Sequence, residues 1–249
     1  TISLIVVGAI ATFAYVLHAR RTPIPILDLN LLRIPTLRAA VVGGFVYRSG
    51  VGAMPFLLPL MLQLGFGMTA FQSGMITVAN VVGALGMKLI IPRVLRRFGF
   101  RVALTANALM SSVMVGACAT FVPGVPLAWI LAVLLIGGFF RSLEYTSLNT
   151  IAYADMDREH MSRVTSLVAV GQQLSISIGV AIGAALVDLM LQLRGDTIIM
   201  AADFQLAWIV VALISATSCF IFWKMPVDAG AEVSRRAPGT ANTTDQKQG

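Results

Sequence analysis

Charge is what this chain has least of. Only 12% of its 249 residues are Asp, Glu, Lys or Arg, against about 25% in a soluble domain. Cysteine is scarce too. Cys118 and Cys219 are the two present, and both sit inside apolar runs. They read as small hydrophobes, which excludes a disulfide scaffold and leaves no redox pair or zinc site. HExxH, CxxC and EF-hand spacings are missing, as is a Gly-rich Walker loop. No catalytic residue, metal or cofactor is therefore expected, and the chain is not read as an enzyme. A signal-peptide n-region and cleavage site are also lacking, and the first residue is Thr1 rather than Met. The expectation is that natural sequence precedes it.

Apolar side chains are what fill the space. They make up 57% of the chain, and the mean hydropathy is +0.86. A soluble fold of this length has too little core to hide so many. The composition predicts an all-α polytopic membrane protein. A helix needs about 20 residues to cross the hydrocarbon. Seven runs reach or approach that length: 1–17, 37–64, 72–91, 100–121, 127–152, 164–193 and 204–225. Barrel strands would alternate apolar and polar residues over about 10 positions. These runs are longer and apolar on all sides. The first run is short, as expected of a truncated helix. The six full ones divide three plus three, as in the inverted repeats of secondary transporters.

The net charge of +7 suits nucleic-acid binding or orientation in a membrane, and placement decides between them. Residues 18–38 hold Arg20, Arg21, Arg33 and Arg38 against Asp28 alone. Residues 88–101 hold Lys88, Arg93, Arg96, Arg97 and Arg101 with no acid. The alternate connections, 65–71 and 122–126, carry no charge, and 194–203 carries one Arg and two Asp. Short loops rich in Lys and Arg stay cytoplasmic. The charge is orientation charge, and no nucleic-acid partner is implied. The C-terminus then faces the cytoplasm, and residues 226–249, poor in apolar side chains, form a disordered tail.

Polar residues inside the runs are the candidates for function. Arg48 stands about 15 Å along its helix from Arg38 at 1.5 Å per residue, near the midplane. A charge there must face protein or water. Gly44 and Gly52 flank it at i−4 and i+4 and leave a groove on its face, and Pro55 and Pro59 follow. Two roles are open to Arg48: a group in a transport path, or a lock between helices. Arg141 and Glu144, at i and i+3, can pair on one helix face. Glu144 is the best carboxylate for exchanging a proton, and a permanent ion pair that seats the helix is the alternative. Asn80, Tyr145, Asn149 and Gln172 lie on polar stripes that suit a shared cavity. Ser73, Thr77, Ala84 and Lys88 extend the stripe of Asn80. Asn107, Ser111 and Cys118 form a weaker one, and Gly179-x-x-x-Gly183 suits close helix packing. Asp155, Asp157, Glu159 and His160 read as a solvated loop.

Several motifs together resemble a known family. They are Arg48-Ser-Gly-Val-Gly-Ala-Met-Pro55-Phe, Leu62-Gln63-Leu-Gly65, Phe71-Gln-Ser-Gly74, Gly86-Met-Lys88, Arg97-Phe-Gly99, Ser147-Leu-Asn149-Thr150 and Ser175-Ile-Ser-Ile-Gly179-Val. The chain resembles the C-terminal half of a major facilitator superfamily transporter. Within that superfamily it looks like the fourteen-helix drug:proton antiporters, the EmrB/QacA-like group, nearest its MdtD-like members. Gly83, Arg97, Gly99 and Arg101 match positions of the superfamily's cytoplasmic loop motif. Pro92 stands where the motif has Gly, Arg96 where it has Asp, and Phe100 where it has a basic residue.

The resemblance implies a truncated linker helix over 1–17, a cytoplasmic loop over 18–36, a six-helix bundle over 37–225 and the tail over 226–249. It also implies a missing N-terminal bundle, which in this family usually carries the main proton-coupling carboxylates. The implied protein is a multi-pass protein of the bacterial inner membrane. It would export small amphipathic compounds or drugs in exchange for protons by alternating access. Arg48, Arg141 and Glu144 would couple protons or gate, and Asn80, Tyr145, Asn149 and Gln172 would line the cavity. The partners are the lipid bilayer, a small-molecule substrate, protons and the missing half. The alternatives are export of one endogenous solute, or a non-transporting scaffold or receptor on the same fold.

Overall fold

The computed structural model describes residue 8 and residues 29–157, 160–226 and 229. Six helices within these are long and apolar enough to cross a membrane: α1 (Pro35–Gly65), α2 (Ala70–Lys88), α3 (Ile91–Thr120), α4 (Leu127–Ala152), α5 (Met161–Arg194) and α6 (Asp203–Trp223). No β-strand occurs among the described residues. The all-α polytopic fold expected from composition is the one observed. The expected linker helix over 1–17, the first part of the loop over 18–36 and nearly all of the tail lie outside the described residues.

Local chemistry sets the helix ends. α2 opens on a reciprocal cap. Gln72 N–H donates to Thr69 Oγ1 at 3.2 Å, and Thr69 N–H donates to Gln72 Oε1 at 3.0 Å. α5 stops at Gly195, whose φ of 67° lies in the left-handed region that glycine tolerates. Gly99, at φ 70° and ψ 169°, breaks α3 into a short basic leg and the membrane-crossing part. The apolar run that begins at Phe100 is that second part. α1 is irregular. Pro55 and Pro59 bring no amide hydrogen to its backbone ladder, and π-type turns occupy Ala39–Gly43 and Met61–Gly65.

Small residues let the helices approach. Lipid tails are as apolar as Leu, so burial of apolar surface does not drive helices together in a bilayer; close packing does. Gly138 on α4 faces the Asn80 carbonyl of α2, and Gly83 on α2 faces the Leu135 carbonyl of α4; a Cβ at either would collide with that backbone. Gly50 meets Val211 and Ser215 of α6 in the same way, and Gly179 of α5 meets the Ser49 carbonyl of α1. Ser215 Oγ donates to the Tyr47 carbonyl at 3.0 Å, tying α6 to α1. Trp208, Tyr47, Phe204, Phe222 and Met61 are fully buried at the centre.

The outer surface is apolar. Val78, Val82 and Leu85 on α2, Leu109 and Val113 on α3, and Ile209 and Leu213 on α6 are all exposed. On a soluble protein this surface would aggregate; it is what a bilayer solvates. The connection between α5 and α6 is held electrostatically. Arg194 reaches buried Asp203 at 3.0 Å, and Asp203 Oδ2 accepts from the Met200 N–H at 2.7 Å. Backbone amides of Thr197 and Ile198 hold the exposed Asp196 carboxyl below its ordinary value.

Candidate functional site

The polar side chains of α1, α2, α4 and α5 converge, but not all on one point. Arg48 is only 2% exposed. Its guanidinium lies 5.2 Å from the centroid of the Tyr145 ring, close enough for a cation–π contact. Its Nη2 donates to Asn149 Oδ1 at 3.5 Å. Gln172 Nε2, from α5, donates to the same oxygen at 2.8 Å. Asn149 thus bridges an α1 cation to an α5 amide. Arg48 Nε is buried without a hydrogen-bond partner. A Cβ at Gly44 would sit 2.7 Å from Arg48 Nη1, so this glycine makes room for the guanidinium. The groove expected beside Gly44 and Gly52 for a neighbouring helix or a ligand is partly taken up: the guanidinium occupies one end, and at the other Ile176 of α5 packs on Gly52, which also lines an open recess.

Arg141 and Glu144 do not pair. Arg141 Nη2 donates to Asn80 Oδ1 of α2, and Nη1 points at Met54 Sδ of α1 at 3.2 Å. Glu144 is fully buried and turns to α3, where Asn107 Nδ2 donates to its Oε2 at 2.8 Å. The same Asn107 nitrogen donates to the Phe140 carbonyl at 2.8 Å. Helical spacing permits an i, i+3 pair, but each side chain finds its partner on a different neighbouring helix. Glu144 Oε1 and Asn107 Oδ1 are both buried with no donor. A proton on Glu144 would supply a donor that this pair lacks. Tyr47 completes the interior: its hydroxyl and Ser111 Oγ are 2.6 Å apart, and its ring meets Tyr145 edge-on at 6.1 Å.

Beside this cluster lies an open recess of about 350 Å³, lined by residues of α1, α2, α4 and α5 that include Pro55, Lys88, Arg141, Tyr145, Thr146 and Ile176. No acidic side chain lines it. Arg141 and Tyr145 face it, whereas Glu144, one residue earlier than Tyr145, points into the α3 interface. Of the milder stripes, Thr77 donates to the Ser73 carbonyl of its own helix and Cys118 is buried. Asn80 and Asn107 are the stripe members that reach across to α4, from α2 and α3.

The loop motif residues are spread out. Gly83 is buried against Leu135, and Gly99 makes the break in α3. Arg97 lies over its neighbour Phe98 at 5.7 Å, and Arg101 lies over the Trp223 ring of α6 at 4.9 Å. Asp155 accepts a hydrogen bond from Thr36 Oγ1 at 2.8 Å; Glu159 lies outside the described residues. No group of three His, Cys, Asp or Glu able to hold a metal occurs among the described residues. Sequence reasoning missed Tyr47 and Met54. An aromatic next to an intramembrane Arg is a signal for the first; nothing in the sequence marks the second.

A bundle of six apolar helices with polar side chains joining four of them defines a polytopic membrane protein. The pattern of the Major Facilitator Superfamily matches residues 3–180 and 42–245, and the chain belongs to that family. It is 34% identical over 245 residues to a protein of Citrobacter koseri named "Putative multidrug resistance protein MdtD", covering 96% of this chain and 51% of that protein. Proteins of the same name from Escherichia coli K12 and Shigella boydii are 34% identical over 240 residues, covering 94% of this chain and 50% of theirs. The chain spans about half the length of these curated relatives.

Proposed function

We propose that this chain is the C-terminal half of a proton-driven exporter of small amphipathic compounds in a bacterial inner membrane. The observation that carries the reading is the joint polar face of α1, α2, α4 and α5. Arg48, Tyr145, Asn149 and Gln172 form one linked cluster on it, and the 350 Å³ recess opens beside it. Intramembrane charges that do not face lipid mark pathways by default. The names and doubled length of the relatives support a second bundle on the other side of that face. Substrate would bind near the midplane between the bundles, and rocking of one against the other would alternate access. A largely apolar wall with few fixed polar groups suits variable substrates.

In this proposal Arg48 and Arg141 gate, because each ties two or more helices through contacts that a rocking motion can exchange. Glu144 is the proton-exchange candidate of this half. It is wholly buried, and one oxygen has a donor while the other has none. The basic stretch that holds the motif residues Arg97, Gly99 and Arg101 faces the cytoplasm, whereas Gly83 of the same motif packs α2 on α4. Asn80 positions Arg141 beside the recess. The test uses proteoliposomes holding the protein that carries this chain, loaded with a fluorescent amphipathic substrate. Export that follows an imposed pH gradient, and stops when an ionophore collapses it, is expected. Flux unchanged by collapse would refute proton coupling. Wild-type flux in Arg48→Ala would reduce Arg48 to packing.

A further inference from the structure

Where α1 begins and α6 ends, the basic end of the bundle holds a second recess with a different chemistry. It is a groove of about 380 Å³ lined by Arg38, Val42, Phe220, Ile221, Lys224 and Met225 among others, with no acidic side chain. Arg38 and Lys224 are exposed. Neither side chain makes a hydrogen bond or ion pair among the described residues. Below them the groove wall is apolar and open outward: Phe220 is 69% exposed and Val42 40%. Beside Lys224, Trp223 is 62% exposed, with Arg101 stacked on its ring. An exposed Trp capped by a cation sits at the level of lipid headgroups.

The geometry points to a binding site for one anionic phospholipid, its phosphate between Arg38 and Lys224 and an acyl chain along Val42 and Phe220. Charge complementarity selects the occupant. Two unpaired cations over an apolar slot at a membrane surface match a ligand with an anionic head and a hydrocarbon tail, and basic pockets between helices hold such lipids. A zwitterionic lipid brings the same tail without the net charge. A soluble anion brings the charge without the tail. The site lies at the seam of α1 and α6, away from the recess beside Arg141, so it stands whether or not the transport reading holds.

The test reads Trp223 emission, taken as the difference between the protein carrying this chain and its Trp223→Phe variant, in phosphatidylcholine nanodiscs. Trace phosphatidylglycerol brominated on its acyl chains is compared with brominated phosphatidylcholine. Quenching by the anionic lipid at a roughly tenfold lower mole fraction is expected, since two cations each contribute several-fold. The double variant Arg38→Gln/Lys224→Gln should erase the preference, and Arg93→Gln/Arg96→Gln, which removes two exposed charges elsewhere, should keep it. Equal quenching by both lipids overturns the proposal. So does a preference lost equally in both double variants, which would mean unspecific attraction. Relief of quenching by millimolar inorganic phosphate would mean a soluble-anion site and also overturns it.

Discussion

Gly138→Ala puts one methyl group where α2 and α4 touch. The Cβ of an alanine at 138 would collide with the Asn80 carbonyl carbon and oxygen. Those are backbone atoms of a helix, so no flexible side chain can swing away and α2 itself must move. Overpacking of this kind costs about 1–3 kcal/mol. Alanine in place of glycine in a helix returns up to about 1 kcal/mol; with rigid backbone as the obstacle the upper end of the cost applies, and the net loss is about 2 kcal/mol. The functional consequence is larger than the energy, because Asn80 is the residue that receives Arg141. Moving α2 outward separates the pair and shifts Arg141 beside the recess. Gly86→Ala is the internal control: it lies on α2, the partner helix, and nothing comes within 4 Å of its added Cβ. Thermal unfolding of the detergent-purified protein should fall by several degrees for Gly138→Ala and stay level or rise for Gly86→Ala. Equal behaviour of the two variants would refute close backbone contact as what joins α2 to α4.

Arg48→Lys keeps the charge but loses the planar face set against Tyr145 and the reach to Asn149; a loss of about 2 kcal/mol is expected for a desolvated cation–π contact, read as a drop in thermal stability together with slowed flux. Glu144→Gln keeps an oxygen to accept from Asn107 and should preserve the fold while removing the pH-gradient dependence of flux. Glu144→Ala leaves one Asn107 N–H without its acceptor while the other stays on the Phe140 carbonyl, and should cost about 1–3 kcal/mol in unfolding, so equal stability of the Ala and Gln variants would contradict the Asn107 contact. Arg194→Gln leaves Asp203 buried without its cation. Because Arg194 itself is partly exposed, the loss should lie between the about 0–1 kcal/mol of a surface pair and the about 3–5 kcal/mol of a broken buried one, measured by unfolding at neutral pH.

The architecture was legible because membrane helices declare themselves by length and polarity. The run from 127 to 152 coincides with α4. The Gly179-x-x-x-Gly183 pattern marked a close contact, and the structure puts Gly179 on the Ser49 carbonyl and Gly183 on Leu57 of α1. Arg48, Asn80, Tyr145, Asn149 and Gln172 were visible as polar residues at costly depths. Their wiring was not. Spacing on one helix says which side chains share a face, and so suggested Arg141 with Glu144. The partner that wins is set by a third helix, and Asn107 and Asn80 divide the two between them. The run beginning at Phe100 already placed the start of the membrane-crossing part; the helical basic leg from Ile91 to Gly99 was not legible, because its charges mark a connection without saying what backbone it takes.

Whether the shared face of α1, α2, α4 and α5 is wetted as a transport path requires is tested most directly by thiol labelling. Ala84→Cys and Thr146→Cys line the recess; Leu109→Cys and Val113→Cys lie on the apolar face between α3 and α6. The native Cys118 is buried and Cys219 half-buried, and the unsubstituted protein gives their background. In membranes holding the protein that carries this chain, a hydrophilic maleimide should label the first pair strongly and the second pair no more than that background. Equal labelling of both pairs, or protection of 84 and 146, would contradict an aqueous path on this face.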